Sequence, residues 1–196
     1  MIDAENQADL DVRDLMSCLD RFRLVERHAH ADWDNPRLNG VATRLGMAGF
    51  RLHEVCSGPW PGAYKDASDI AMAEHMRRLA ARPDIGVFVV VSGDAFFTDE
   101  VRALQEQGKW VIVAANPCHV SRRLCRTADD YLPIGRWGKV LRTLSYLEHG
   151  AGRWSRDQVV PISDIERNHL KKLIDRNLIV WRRPQSPGQR LAHESY

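Results

Sequence analysis

The chain has 196 residues, enough to bury the core of one ordinary domain and a smaller unit besides. Its net charge of +2 is unevenly spread, because residues 1–134 carry a balance of −4 and residues 135–196 a balance of +6. No run of about 18 apolar residues occurs, which excludes a membrane-spanning helix.

The first residues and the cysteines predict a cytoplasmic protein. The opening MIDAENQADL lacks the basic and apolar regions of a secretory signal. The four cysteines contain no C-x-x-C pair, which argues against a zinc ribbon or a redox motif. We therefore expect a reducing setting.

Apolar runs alternate with helical patterns over residues 1–134, which predicts an α/β domain with a parallel sheet and right-handed crossovers. The first elements are a short strand at Met1 to Ala4, a helical face of Leu10, Leu15, Leu19 and Phe22, a strand at Arg23 to His30, a helix at Pro36 to Leu45 and a strand at Phe50 to Cys56. There follow a Pro/Gly-rich loop, a helix from Asp66 to Ala81, a strand that ends at Asp94, a helix from Thr98 to Gln107, a strand at Lys109 to Ala115, a short helix near Ser121 and a terminal YLPI.

The stretch VFVVVSGDAFF, Val87 to Phe97, predicts a central strand that is covered on both faces. Groups at the carboxyl ends of such strands line the crevice where α/β proteins bind ligands, which places Asp94 in a candidate site. An ordinary N-cap for the following helix explains the same aspartate, so further acids are needed.

Two more aspartates fall where they can join Asp94. Asp3 ends the first strand, and Asp69 lies in the first turn of the helix that precedes the fourth strand. Three converging carboxylates repel one another unless a cation lies between them, and oxygen ligands suit Mg²⁺ or Mn²⁺. The sequence therefore predicts a metal site formed by Asp3, Asp69 and Asp94.

Histidines give a weaker signal. His28 and His30 would share one face of a strand, as metal ligands can, but no third ligand follows at a matching spacing. A structural role is favoured for both.

Residues 137–196 form a separate pattern of three helices followed by a basic hairpin, which resembles a winged helix-turn-helix. In that arrangement the third helix would contact phosphates through Arg167, Lys171 and Lys172. The wing would do so through Arg182, Arg183 and Arg190. DNA, RNA or a protein could be the partner, and a homo-oligomer also stays open.

Four motifs in residues 1–134 resemble, in order, those of the NYN-domain family of PIN-like ribonucleases. MIDAENQ resembles the family's D-x-x-N opening and KDASDIAMAEHM its K-x-x-x-D-I-A-x-A segment. VVVSGDAFF resembles its S-G-D-x-D-F strand end, and HVSRRLCRTADDYLPI its closing pattern of a serine, a leucine and Ala-Asp-aromatic. The resemblance implies a three-layer α/β/α domain with a parallel sheet.

The resemblance also implies metal-dependent hydrolysis of phosphodiester bonds, with RNA as the substrate. Asp3, Asp69 and Asp94 would hold one or two divalent ions, which lower the pKa of a bound water and neutralise charge on the phosphoryl oxygens. Asn6 would position a ligand or the scissile phosphate, and Ser92 would donate a hydrogen bond at the strand end. Independently of the resemblance, Lys65, Arg77 and Arg78 are candidates for phosphate contacts, and a solvated helix face explains the two arginines equally well.

Two positions depart from the family pattern. Phe96 stands where the family usually has a second aspartate after the strand, and His75 stands where it often has an aspartate six residues after the helix acid. The site could then bind a single ion, use Asp99 or Glu100 as a substitute, or be inactive. For His75, an exposed helix position is favoured over a place in the site. An inactive nucleic-acid-binding or adaptor protein is therefore the alternative to a ribonuclease.

Overall fold

A computed structural model of the chain describes residues 1–55, 66–135 and 138. These residues belong to one compact unit, Met1–Gly138. The predicted winged-helix-like region, 137–196, lies outside the described residues apart from Gly138. Within the described ranges, no helix is both long and apolar enough to cross a membrane.

The described residues form an α/β fold around a six-stranded parallel sheet, as the alternating pattern predicts. The strands are β1 (Ile2–Asp3), β2 (His28–Ala31), β3 (Arg51–Glu54), β4 (Val87–Val91), β5 (Trp110–Ala115) and β6 (Asp130–Pro133). The helices are α1 (Val12–Cys18), α2 (Asn39–Met47), α3 (Ala67–Ala80), α4 (Thr98–Glu106) and α5 (Arg122–Thr127), with 3₁₀ turns at Pro36–Leu38 and Ala95–Phe97.

Both faces of the sheet are covered, which gives three layers. Successive residues of a strand point to opposite faces, so Phe88 and Val90 of β4 pack with α3 and α4, while Val91 packs with α1 and α2. Alternation of this kind puts Ile2 of β1 in the core beneath α1 and α2. Asp3, its neighbour, therefore lies on the α3 side of the sheet.

The strand order β3-β2-β1-β4-β5-β6 reverses direction between β1 and β4. This reversal is a topological switch point, where open α/β sheets bind ligands outside the carboxyl ends of their strands. The pairing of strands at the switch point is short. Strand β1 pairs with β4 through Ile2 and Val91, and with β2 through Ile2 and Asp3.

Two expected elements differ in extent from the observed ones. The strand expected at Arg23 to His30 is observed at His28–Ala31, the four residues that pair with β3. The helix expected at Pro36 to Leu45 begins as a 3₁₀ turn and becomes α-helical at Asn39, ending at Met47.

Candidate functional site at the ends of β1 and β4

The ends of β1 and β4 bring Asp3 against the SGD segment that follows β4. The Asp3 side chain is only 3% exposed. Its Oδ2 accepts a hydrogen bond from the Ser92 hydroxyl at 2.8 Å, and its Oδ1 accepts one from the Asn6 backbone N–H at 3.1 Å. Burial raises the pKa of Asp3 to about 6, more than these two hydrogen bonds lower it.

Gly93 lets the chain turn tightly at this point. A Cβ placed on it would lie 3.0 Å from the carbonyl oxygen of His119 and 3.2 Å from the Cα of Val120. The Gly93 N–H donates to Oδ1 of Asn6 at 2.9 Å, and the Gly93 carbonyl accepts from the Ser121 N–H at 2.8 Å. The glycine of the SGD motif is therefore required by backbone packing, and Asn6 fastens the β1 and β4 loops together.

Asp94 has a capping contact as well as its place in the site. Its Oδ1 accepts from the Phe96 N–H at 2.8 Å, so it caps the 3₁₀ turn Ala95–Phe97. Its own N–H donates to Oγ of Ser92 at 3.1 Å. The Ser92 hydroxyl thus bridges Asp3 and the backbone of Asp94. The side chain of Asp94 is exposed, so its second carboxylate oxygen can reach a ligand.

Asp69 joins these two acids from the first turn of α3. It is 8% exposed, and burial together with the negative charges of Asp3 and Asp94 raises its pKa to about 7. Helix α3, which carries Asp69 in its first turn, packs against β1, which carries Asp3, and Asp94 lies beside Asp3 through the Ser92 hydroxyl. The three aspartates therefore lie in the same region of the sheet.

Glu5 is an acid of this region that the sequence did not single out. Its charge raises the pKa of both Asp3 and Asp69. Its carboxylate oxygens accept from the Asp32 N–H at 2.9 Å and from the Ser68 hydroxyl at 3.2 Å. The spacing D-x-E could have indicated Glu5, because side chains two residues apart at the end of a strand can point to the same side of the sheet.

The two departures from the family pattern lie in different places. Phe96 is 38% exposed, beside Asp94, and its ring contacts that of Phe97 with the centroids 5.3 Å apart. His75 does not occupy the exposed position expected for it. Its ring is partly buried among other histidines, with the His28 ring centroid 4.3 Å away.

The acids considered as substitutes are engaged in ion pairs. Glu100 accepts from Nε of Arg77 at 3.0 Å and pairs with the same guanidinium through a second bond. Asp99 pairs with Arg102 at 3.0 Å and with Arg123 at 3.4 Å. Arg77, considered for phosphate contact, is thus held by Glu100.

Most of the predicted nucleic-acid-binding residues cannot be placed. These are Lys65, Arg167, Lys171, Lys172, Arg182, Arg183 and Arg190, which lie outside the described residues.

The acids at the strand ends fit a divalent metal ion by their chemistry. Two buried carboxylates with raised pKa values are costly when ionised, and a cation bound between them would relieve both the burial and the mutual repulsion. All the donors offered at this point are carboxylate or hydroxyl oxygens, the ligands preferred by Mg²⁺ and Mn²⁺. Asp3, Asp69 and Asp94 are the residues that would hold the ion.

Comparisons with known proteins agree with this fold. A solved structure of a protein of unknown function from Vibrio parahaemolyticus is 20% identical and superposes with a TM-score of 0.50, covering 64% of this chain and 90% of that one. No curated protein matches the sequence significantly. The family model described as the NYN domain matches residues 1–135. The chain therefore belongs to the NYN domain family of PIN-like nucleases.

Proposed function

We propose that the protein is a ribonuclease that uses Mg²⁺ or Mn²⁺ to hydrolyse phosphodiester bonds of RNA. The observation that carries this proposal is the placing of two buried acids, Asp3 and Asp69, beside Asp94 at the switch point of the sheet. Family membership supports it, since PIN-like nucleases generally depend on divalent metals.

The acids and their neighbours would share the work of the site. The three aspartates would hold a divalent ion, which would lower the pKa of a bound water and neutralise charge on the phosphoryl oxygens. Ser92 orients Asp3 by donating to it, and Asn6 sets the distance between the β1 and β4 loops. Asp94 is the most accessible of the three acids and therefore the one best placed to meet the substrate.

The basic residues would hold the substrate. We propose that Lys65 and the C-terminal region, with its balance of +6, contact RNA phosphates. Such contacts release counterions, so RNA affinity should fall steeply as salt rises. Removing residues 139–196 should then weaken RNA binding and flatten its salt dependence. DNA should compete with RNA if the region reads only phosphates.

A second candidate function is a binding protein that keeps the fold without the chemistry. Phe96 favours this alternative, because a phenyl ring stands where the family usually supplies a further oxygen ligand. Such a protein would bind RNA, or a partner, without needing the metal ion.

The deciding experiment measures cleavage of a labelled single-stranded RNA in Mn²⁺ or Mg²⁺, with an EDTA control. The test variant is Asp94→Asn, because an asparagine oxygen can still accept from the Phe96 N–H and so keep the cap. The matched control is Asp20→Asn, an exposed aspartate just beyond the end of α1.

We expect the wild type and the control to cleave, and both the Asp94→Asn variant and the chelated wild type to lose cleavage by at least about 100-fold. Folded wild type that binds RNA but cleaves with neither metal would overturn the nuclease proposal in favour of the binding protein. Equal cleavage by Asp94→Asn and wild type would remove Asp94 from the site.

A further inference from the structure

Four histidine rings lie together beneath α3, next to the acidic site. They are His28 and His30 of β2, His53 of β3 and His75 of α3, here called the histidine cluster. Five pairs of these rings have centroids between 4.3 and 5.3 Å apart. Half of all the histidines in the chain are thus gathered at one point.

Sheet register explains how the rings meet. His30 is paired laterally with His53 on one side and with Asp3 on the other, so all three side chains lie on the α3 face of the sheet. His28 is two residues before His30 and shares that face. His28 and His30 are only 3% and 2% exposed, at positions where a covered parallel sheet ordinarily places aliphatic side chains.

Burial keeps these rings neutral, as metal ligands must be. Burial is the largest cause of the lowered pKa of each ring, which falls to about 3 for His30 and about 4 for His75. Neutral imidazole has one nitrogen that carries a proton and one that carries a lone pair. Nδ1 of His30 is buried and has no hydrogen-bond partner among the described residues.

Glu26 fixes the tautomer of His28. Its Oε2 lies 3.0 Å from Nε2 of His28, so this nitrogen carries the proton and donates it to the carboxylate. Nδ1 of His28 therefore has the lone pair, and it points at Nε2 of His53, 2.8 Å away. A carboxylate on the outer nitrogen of a histidine is the usual support for a metal ligand. Arg82 holds Glu26 from the other side.

Nε2 of His30 lies 3.2 Å from Nδ1 of His75. When Nδ1–H of His75 donates to His30, Nε2 of His75 carries the lone pair that this ring can offer to a metal ion.

We propose that His28, His53 and His75 bind a divalent transition-metal ion, with Zn²⁺ as the expected ion, at a site separate from the three aspartates. One nitrogen from each of these residues lies within 4.8 Å of the other two. Nitrogens of a tetrahedral zinc site are about 3.3 Å apart, given Zn–N bonds of about 2.0–2.1 Å. The separations exceed this spacing by at most about 1.5 Å. Three imidazoles select such an ion over Mg²⁺, which prefers oxygen.

The ion would tie α3 to β2 and β3. His75 follows Asp69 by six residues on α3, about 9 Å along the helix axis. A metal bound by the histidine cluster would therefore fix the helix that carries one acid of the neighbouring site. The inference does not depend on whether the aspartates cleave RNA.

The test is zinc binding by the full chain without an affinity tag, after treatment with a chelator. The affinity for Zn²⁺ is measured by competition with a coloured chelator in millimolar Mg²⁺, which competes with Zn²⁺ for carboxylate ligands. His28→Gln and His75→Gln are the test variants, and His119→Gln is the matched control, since His119 is exposed and outside the cluster. Asp94→Asn is a second control, for zinc bound by the acids.

We expect one tightly bound Zn²⁺ in the wild type and both controls, and at least about 100-fold weaker binding in the two test variants. Glu26→Gln should weaken binding by about 10- to 100-fold, since it supports a ligand without touching the ion. Unchanged affinity in both test variants, or no tight binding by the folded wild type, would overturn the proposal.

A measurement on the wild type alone guards against test variants that fail to fold. Co²⁺ bound by three imidazoles and water should give visible absorption bands of a four-coordinate ion, without the thiolate charge-transfer bands that cysteine ligands produce. The bands should vanish when one equivalent of Zn²⁺ is added. Thiolate bands, or no four-coordinate spectrum, would reject the histidine site.

Discussion

Asp3→Asn should stabilise the protein when no metal is bound, although it removes an acid that the proposed activity needs. Burial raises the pKa of Asp3 from its ordinary value of 3.8 to about 6, which corresponds to about 3 kcal/mol of unfolding free energy. The folded protein binds this proton more tightly than the unfolded chain does. The stabilising contribution is therefore fully present below pH 3.8 and is lost as the pH rises through about 6.

Asparagine imitates the protonated carboxyl at every pH. Its oxygen can accept from the Asn6 N–H, and its amide can donate to Oγ of Ser92, so both contacts of Asp3 have a counterpart. The pKa of about 6 already includes the stabilisation that these two hydrogen bonds give the charged carboxylate. We therefore expect a net gain of about 1–3 kcal/mol at about pH 8, shrinking toward zero at about pH 4.

The assay is urea unfolding in EDTA at several pH values, with Asp20→Asn as the matched control. Saturating Mn²⁺ should reverse the order at about pH 8, because only the wild type gains the binding free energy of the ion. The reasoning fails if Asp3→Asn is less stable than the wild type at about pH 8 without metal. It also fails if the difference between the two does not depend on pH.

Three further substitutions test the strand-end site. Phe96→Asp should strengthen Mn²⁺ binding and raise RNA cleavage at least about 10-fold, since it adds an oxygen ligand at an exposed position. Gly93→Ala should lower the free energy of unfolding by about 1–3 kcal/mol, because the added Cβ would press on the carbonyl oxygen of His119, whereas Gly86→Ala meets open space. Ser92→Ala should cost about 1–3 kcal/mol at neutral pH, because it removes a buried hydroxyl that bridges the two strand ends.

Each of these has a result that would count against it. Unchanged metal affinity in Phe96→Asp would show that position 96 does not face the ion. Equal stability of the two glycine variants in urea unfolding would contradict the tight packing described for the β4 loop. A Ser92→Ala protein as stable as the wild type would mean that the hydroxyl contributes nothing net to the fold.

The sheet could be predicted from the sequence because its signals are local. The valine run of β4 identifies a strand covered on both faces, and the Asp-capped turn after it marks where the strand ends. The sequence predicts helix α3 from Asp66 to Ala81, and the helix spans Ala67–Ala80. The prediction is close because both signals are local: the helical spacing of apolar residues, and Pro83, which ends the helix. Local patterns of this kind also placed Asp3 and Asp69 near strand and helix ends.

The histidine cluster could not be predicted, because its members come from three elements. His53 meets His28 and His30 only through the register of β2 against β3, and His75 meets them only because α3 packs over these strands. Register depends on long-range pairing that no short window contains. For that reason the sequence alone indicates no third ligand for His28 and His30. Glu5 is not indicated by the motif D-x-x-N, because it occupies one of the two unspecified positions between Asp3 and Asn6.

Because strand β1 has only two residues, the proposed metal ion would also stabilise the sheet. One half of the sheet, β3-β2-β1, pairs with the other half, β4-β5-β6, along the short strand β1, and Asp3 and Asp94 lie on opposite sides of that junction. Hydrogen bonds of Ser92 with Asp3 and of Gly93 with Asn6 link the two strand ends as well. An ion bound by both aspartates would link the two halves of the sheet. Amide hydrogen exchange in β1 and at the end of β4 should then slow when the ion binds, while exchange in β5 changes little. Metal binding would therefore make it harder for the two halves of the sheet to separate in local unfolding.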